Sequence, residues 1–245
     1  MRNSSAAPGR QPRLLRPRRR RDPAYIAGVP ALIFDYDGLI ADTEALVGRV
    51  LVELLAERGV ETGFDSMIGF MGSSGPANDE AFARQVHVWL GPDADPVAFD
   101  VMAWELIDAQ RHEVPLCAGV AELLDRAATA GWQTAIGTGA SRPLLEHHLG
   151  CLGVLDRFDE IVTAAEVHRG KPAPDIFLEA ARRLGRAPQE CLVLEDSLPG
   201  YQAALAAGMS VVVCPCEVTR FSTFPPEARV VGTLHEVDLD TVRLA

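Results

Sequence analysis

Acidic side chains follow two apolar runs of this sequence, at the points where buried strands would end. Asp35 and Asp37 come directly after the run that ends at Phe34, and Glu195 and Asp196 follow a later run of the same kind. Alternate residues of an extended segment point the same way, so the first two carboxylates can address one site. In an open parallel sheet, ligands bind beyond the carboxyl ends of the strands. Four carboxylates gathered there would repel one another without a cation, and their oxygen atoms suit Mg²⁺.

Lys171 is the only lysine among the 23 lysine and arginine residues of the chain. Lysine offers a compact point charge where arginine presents a wide planar fork, so a narrow site that holds a phosphate or a carboxylate would select it. The string Thr138-Gly139-Ala140-Ser141 places hydroxyls and free backbone N–H groups at the start of a predicted helix, which favours an anion. Thr138, Gly139, Ser141 and Lys171 are therefore candidates for binding an anion such as phosphate.

The elements that must position these residues alternate between strands and helices. Short apolar runs predict strands at 29–34, 132–137, 160–163, 191–194 and 210–214. Apolar residues at helical spacing predict helices at 119–130, 141–149, 174–184 and 199–207. This alternation predicts an α/β fold with a parallel sheet and helices on both faces. Each candidate segment taken alone is also typical of a turn or a helix cap, but together they fall at corresponding ends of successive strands.

One long helical block interrupts the alternation after the first strand. Helices are predicted at 43–59, 76–90 and 96–107, and the last two open with proline. We therefore expect a Rossmann-like parallel-sheet core with an all-helical cap domain inserted after the first strand. The predicted division is a core of residues 28–44 and 114–245, a helical cap of residues 45–113 and a disordered arginine-rich tail of residues 1–27.

Composition narrows the function classes. The net charge of −11 combines +8 from residues 1–21, which hold eight arginines and no acid, with −19 from the rest of the chain. Such an acidic body argues against nucleic acid as a main partner and leaves at most a weak contact of the tail. No apolar run approaches the ~20 residues of a membrane helix. The five cysteines are odd in number, which is typical of reduced thiols. We expect a cytoplasmic monomer that acts on a small molecule.

Four segments of the chain carry a family resemblance. They are the run from Phe34 to Glu44, which contains Asp35-Tyr36-Asp37-Gly38, then Thr138, then Gly170-Lys171-Pro172-Ala173-Pro174-Asp175, and then Glu195-Asp196-Ser197-Leu198-Pro199-Gly200. In order and context they resemble the four motifs of the haloacid dehalogenase superfamily, over residues 28 to 235. Within it, the chain resembles the phosphatase and β-phosphoglucomutase-like branch, which has a helical cap after the first motif.

The resemblance implies a role for each candidate residue. Asp35 would attack phosphorus to form an aspartyl-phosphate, and Asp37 would protonate the leaving oxygen and then activate water. Thr138 and Lys171 would hold the phosphoryl oxygens, and Ser141 would add a hydroxyl nearby. Whether Thr138 or Ser141 supplies the principal hydroxyl for the phosphate stays open.

The resemblance also implies Mg²⁺ as the cofactor, with Asp35, the backbone carbonyl of Asp37, Glu195 and Asp196 as its ligands. The expected reaction is hydrolysis of a small phosphorylated metabolite, a sugar phosphate or a similar monophosphate. Relatives that cleave carbon–halogen bonds lack the second aspartate of the first motif, so Asp37 argues against a dehalogenase.

Two alternatives stay open beside hydrolysis. A sugar-phosphate mutase of the β-phosphoglucomutase kind would carry a His where this chain has Val47, and an Arg after the turn where it has Gly75-Pro76. The other alternative is a non-catalytic binding or regulatory protein with the same fold. In the predicted cap, Arg84, His87 and Arg111 are expected to be solvated helix charges, with a position facing the substrate as the alternative.

Overall fold

The sheet of the protein is parallel throughout, as the sequence predicts. The computed structural model describes residues 30–72 and 76–240, so the predicted disordered tail lies outside the described residues. The strands are β1 Ala31–Phe34, β2 Gln133–Thr138, β3 Glu160–Thr163, β4 Cys191–Glu195, β5 Ser210–Val213 and β6 Arg229–Val230. They lie in the order β3-β2-β1-β4-β5-β6 with every neighbouring pair parallel. The predicted α/β parallel-sheet core is therefore confirmed.

Seven α-helices accompany this sheet in the described ranges, each within one turn of its predicted bounds. They are α1 Thr43–Ala56, α2 Pro76–Leu90, α3 Pro96–Gln110, α4 Val120–Ala130, α5 Arg142–Cys151, α6 Asp175–Leu184 and α7 Leu198–Ala206. Asp42 caps α1 by accepting a hydrogen bond from Ala45 N–H, and Asp95 caps α3, whose first residue is proline. None of the helices in the described part of the chain is long and apolar enough to cross a membrane.

The described residues between β1 and β2 form helices and their connections. α1 packs against α3, and short 3₁₀ helices lie at Phe64–Met67 and Arg111–Glu113. An aromatic cluster joins this block, with the Phe70 ring 5.2 Å from that of Phe82 and 6.0 Å from that of Trp89. A helical insertion after the first strand thus agrees with the predicted fold class, while the cap boundaries at residues 45 and 113 stay a prediction.

Parallel register brings the ends of the central strands together. β1 lies between β2 and β4, and Phe34 pairs with Ile136 on one side and with Leu194 on the other. Asp35 and Glu195 follow the pair Phe34–Leu194 directly, and the Asp35 N–H donates to the Leu194 carbonyl at 2.9 Å. The four residues of β1 are fully buried. Pairing with β2 and β4 fixes this end of the strand on both sides.

Candidate active site

Lys171 lies between two buried carboxylates at the carboxyl ends of β1 and β4. Its Nζ atom is 2.8 Å from Asp35 Oδ1 and donates to Glu195 Oε1 at 2.5 Å. The lysine is only 6% exposed, and its amino group lies 5.1 Å from the centre of the Phe177 ring. Burial acts to lower the pKa of Lys171, but the charges of Asp35 and Glu195 outweigh it and raise that pKa above its usual range. Lys171 is therefore a fixed positive charge beside Asp35.

The loop that follows β4 holds Glu195 from its other side. Glu195 Oε2 accepts hydrogen bonds from the backbone N–H of Asp196 at 2.9 Å and of Ser197 at 2.8 Å, and from Ser197 Oγ at 2.9 Å. Ser197 also begins α7, because its hydroxyl accepts from the Gly200 N–H at 3.2 Å. Both oxygens of this fully buried carboxylate consequently have partners within the protein.

The same loop leaves one carboxylate oxygen without a partner. Asp196 Oδ2 accepts from Thr219 Oγ1 at 3.0 Å, whereas the buried Oδ1 has no hydrogen-bond partner among the described residues. One oxygen each of Asp35, Glu195 and Asp196 lies within 4.8 Å of the others. Burial and then the charges of Glu195 and Asp35 raise the pKa of Asp196 well above its usual value. An all-oxygen set with one unpartnered oxygen fits a divalent cation such as Mg²⁺.

Two glycines make room for these carboxylates. Gly38 has a φ of +76°, and a Cβ atom built there would overlap Asp196 Oδ2. A Cβ atom at Gly200 would overlap the carboxylate of Glu195. The left-handed backbone of Gly38 also disfavours every other residue type. The Asp-x-Asp-Gly segment is thus a turn, as its composition indicates. Its glycine also leaves the space that the Asp196 side chain of the β4 loop occupies.

Asp37 contacts a hydroxyl and an arginine at the edge of the site. Thr43 Oγ1 donates to Asp37 Oδ1 at 2.7 Å, and Arg111 Nη1 lies 3.6 Å from the same oxygen. Arg111 is 7% exposed, with its guanidinium carbon 5.7 Å from the centre of the Trp104 ring. The prediction that Arg111 is a solvated helix charge is therefore wrong, because the chain turns inward after α3 and places this side chain against the core. Arg84, by contrast, is exposed and pairs with Glu80, as predicted.

A buried tyrosine–histidine pair supports the backbone next to Asp37. The Tyr36 hydroxyl lies 2.5 Å from His148 Nδ1, and His148 Nε2 lies 2.9 Å from the Val114 carbonyl. A carbonyl can only accept, so Nε2 carries the proton and Nδ1 accepts from the tyrosine. Burial lowers the pKa of His148, which agrees with a neutral ring. The sequence assigns this histidine no role, since no pattern links residues 112 positions apart.

The loop after β2 brings two of the predicted phosphate-binding residues to the cavity edge, and a third, Thr138, lies beneath the surface next to them. Gly139 and Ser141 line the cavity together with Lys171, and Ser141 is exposed at the start of α5. Thr138 is fully buried at the end of β2, where its hydroxyl accepts from the Ala140 N–H at 3.0 Å. The hydroxyls of Thr138 and Ser141 both stay predicted hydrogen-bond donors to the phosphoryl group.

One cavity of about 600 Å³ connects these side chains with the helical block. Asp35, Asp37 and Lys171 line it on the core side. It is also lined by the apolar residues Val47, Leu51, Phe70, Phe82, Trp104 and Ile107 and by the acidic residues Glu44, Asp79 and Asp100, of which Glu44 lies close to Asp35 and Asp37. Burial and then the charges of Asp37 and Asp35 raise the pKa of Glu44 to about 8. The arrangement joins two carboxylates, Asp35 and Asp37, and a fixed cation in a pocket of the size that small metabolites occupy.

Comparison with known proteins identifies the family that the sequence motifs resemble, and the match covers most of the chain. The haloacid dehalogenase-like hydrolase family matches residues 29–208. Fructose-1-phosphate phosphatase YqaB of Escherichia coli is 36% identical over 185 residues, which cover 74% of this chain and 94% of YqaB. A crystal structure of a CbbY mutant from Rhodobacter sphaeroides in complex with xylulose-(1,5)bisphosphate has a TM-score of 0.65 and 30% identity, covering 85% of this chain and 96% of that one.

Two plant relatives are much longer than this chain. Protein SUPPRESSOR OF QUENCHING 1 of Arabidopsis thaliana is 36% identical over 186 residues, which cover 75% of this chain but 18% of the plant protein. In a second Arabidopsis relative the match covers 54% of the length. This chain therefore spans about a fifth of the first plant relative and about half of the second. The chain belongs to the haloacid dehalogenase-like hydrolases.

Proposed function

We propose that this chain is a Mg²⁺-dependent phosphatase that hydrolyses a small phosphorylated metabolite, a sugar phosphate or a similar monophosphate, through an aspartyl-phosphate. The observation that carries the proposal is the position of Lys171 between Asp35 and Glu195, beside a cavity that also exposes Asp37. The name of the relative YqaB, a fructose-1-phosphate phosphatase of similar length, supports the substrate class.

Asp35 is the nucleophile of the proposed reaction. One of its oxygens attacks phosphorus while the bond from phosphorus to the ester oxygen breaks, and the leaving oxygen takes a proton from Asp37. Asp37 then accepts a proton from the water that attacks phosphorus, so inorganic phosphate leaves and the Asp35 carboxylate is restored. Thr43 and Arg111 hold Asp37 in place for both proton transfers.

Asp35, the backbone carbonyl of Asp37, Glu195 and Asp196 would hold Mg²⁺ in this proposal. When bound, the ion neutralises charge that develops on the phosphoryl oxygens during the transfer. Lys171 supplies a second positive charge from the protein itself, fixed before the substrate arrives.

The loop after β2 would hold the phosphoryl oxygens through the Gly139 N–H and through the hydroxyl of Thr138 or Ser141. A comparison of Thr138→Val with Ser141→Ala identifies the hydroxyl that contributes more to binding of the phosphoryl group. It is the one whose loss raises KM for the phosphate ester more strongly.

Val47 supports hydrolysis over transfer between sugar positions. It lines the cavity with an apolar side chain at the position where the family resemblance predicts a His in mutases. A mutase would also need a hold on a second phosphate, and the sequence has no lysine, arginine or histidine between residues 59 and 83.

A phosphate-release assay tests the proposal. A panel of sugar phosphates and other monophosphates, with p-nitrophenyl phosphate included, is supplied with Mg²⁺ and again after chelation of the ion. We expect release that needs Mg²⁺ and disappears in Asp35→Asn, while Asp156→Asn, an exposed aspartate of the core, keeps native activity. Isomerisation without free phosphate, or full activity in Asp35→Asn, would overturn it. A monomeric state, a cytoplasmic location and the absence of a nucleic-acid partner stay predictions.

A further inference from the structure

The wall of the cavity that faces the leaving group is acidic. Asp79 from the first turn of α2 and Asp100 from α3 both line the cavity. Trp104 donates a hydrogen bond to Asp100 and lines the cavity beside it. Burial and then the charge of Asp79 raise the pKa of Asp100 above its usual value, the Trp104 hydrogen bond opposing them. Among the described residues, no arginine, lysine or histidine forms an ion pair with either aspartate. This wall therefore carries two uncompensated negative charges.

Each of the two cations that line the cavity lies beside two carboxylates, although the Nε atom of Arg111 has no hydrogen-bond partner among the described residues. Lys171 contacts Asp35 and Glu195. Arg111 lies beneath Trp104 between Asp37 and Asp108, 3.6 Å and 3.5 Å from one carboxylate oxygen of each. Within the described lining, no further basic side chain is present to receive a second anionic group.

We propose that Asp79 and Asp100 are specificity-determining residues that make this enzyme select phosphate monoesters whose leaving group carries no second anion, and prefer a leaving group that carries an amine. The inference rests on the proposed phosphatase function. It separates this chain from its CbbY relative, whose crystal structure holds a bisphosphate. Two like charges near a second anion disfavour its binding, whereas an ammonium group would relieve the repulsion between the two aspartates.

Three six-carbon phosphate monoesters that carry the phosphate at position 6 and have leaving groups of different charge test this selection. They are glucosamine 6-phosphate with an amine, glucose 6-phosphate without a charge and 6-phosphogluconate with a carboxylate. We expect kcat/KM to fall in that order, with the carboxylate ester at least about tenfold below the neutral one. Inhibition constants against p-nitrophenyl phosphate hydrolysis give the same ranking for any ester that binds without turnover.

The double variant Asp79→Asn/Asp100→Asn should reduce the ratio between the neutral and the carboxylate ester by about tenfold. Asp93→Asn, an exposed aspartate between α2 and α3 that does not line the cavity, should leave the ratio unchanged. Asp79→Asn alone, at an exposed helix start, gives a smaller change in the same direction with little risk to folding. A native enzyme that accepts 6-phosphogluconate as well as glucose 6-phosphate, or a ratio that the double variant does not move, would refute the inference. Failure to release phosphate from every ester, p-nitrophenyl phosphate included, would instead refute the proposed function.

Discussion

Replacing the single lysine by arginine tests the geometry of the site more sharply than removing its charge. Lys171→Arg keeps a positive charge but must place a planar guanidinium in a space bounded by Asp35, Glu195 and the Phe177 ring, where the native side chain is 6% exposed. We expect the wider group to separate the two carboxylates that now lie 2.8 Å and 2.5 Å from one nitrogen.

The expected loss follows from what the lysine contacts. Removal of one preorganised electrostatic donor costs about 10²–10³ in kcat, and Lys171→Met should show at least that loss. It also leaves Asp35 and Glu195 facing each other in a buried site, which should lower the free energy of unfolding by about 3–5 kcal/mol. Lys171→Arg should lose about 10²-fold in kcat with a smaller effect on stability, since the charge remains.

The pH dependence distinguishes the two variants. Burial raises the pKa of Asp35 to about 7, and the neighbouring charge of Lys171 opposes that rise. As the proposed nucleophile, Asp35 must be ionised, so loss of the lysine should move the acid limb of the kcat/KM profile to higher pH in Lys171→Met, while Lys171→Arg keeps the limb near its native position.

Steady-state kinetics with Mg²⁺ and urea unfolding are the assays, and Arg169→Lys is the matched control. Arg169 lies on the same loop, is exposed and pairs with Asp175 at 2.7 Å, so its exchange should change neither quantity. If Lys171→Arg turned over substrate within about threefold of the native rate, the reasoning about a narrow, lysine-specific site would be wrong.

Three further substitutions test other parts of the site. Arg111→Met should lower kcat about 10²-fold on a sugar phosphate, because Arg111 contacts Asp37, the proposed general acid, and far less on p-nitrophenyl phosphate, whose leaving oxygen needs no proton. Gly38→Ala should raise the Mg²⁺ concentration for half-maximal activity at least about tenfold, because the added Cβ displaces Asp196. Glu44→Gln should gain stability relative to the native protein as the pH rises from 4.5 to 8 in urea titrations without Mg²⁺. The folded-state pKa of about 8 exceeds the unfolded value of 4.5, so the stability that protonated Glu44 contributes is lost over that interval.

Each of these substitutions has a control on the same part of the chain. Arg84→Met removes an exposed arginine of the helical block, and equal losses in both arginine variants would contradict a positioning role for Arg111. Gly59→Ala has nearly the same left-handed φ, +75°, but nothing within 4 Å of its Cβ, so it isolates the backbone cost of Gly38→Ala from the clash. Glu53→Gln, on the exposed side of α1, should show no pH-dependent gain; a parallel gain in both glutamate variants would show that burial of Glu44 is not its cause.

The residues at strand ends could be predicted because they depend only on periodicity and on the geometry of parallel sheets. Asp35 and Glu195 follow apolar runs that can only be buried strands, and register then places the two side by side. Lys171 is predicted from its residue type, as the single lysine of the chain, and from the motif that contains it, and its Nζ atom lies 2.8 Å from Asp35 Oδ1. Local patterns were sufficient here, because each of these residues is fixed by the element next to it.

Arg111 and the Tyr36–His148 pair could not be predicted from such patterns. Their contacts join segments that lie 74 and 112 positions apart, and the direction in which Arg111 points depends on how the chain turns after α3. A helix-face pattern assigns Arg111 to solvent by default, and only tertiary packing overrides it.

Strand β6 is two exposed residues at the sheet edge, so it carries no apolar signal.

The three buried carboxylates of the site have unequal numbers of hydrogen-bond and ion-pair partners, and this difference determines which of them depend most on a bound cation. One lysine serves Asp35 and Glu195, and Glu195 receives three additional donors from the β4 loop. Asp196 receives one hydroxyl on one oxygen, and its other oxygen is buried without a partner among the described residues. An uncompensated buried carboxylate costs several kcal/mol or takes up a proton. The remaining negative charge therefore lies on Asp35 and Asp196, and it is on these two, more than on Glu195, that binding of a divalent ion should depend.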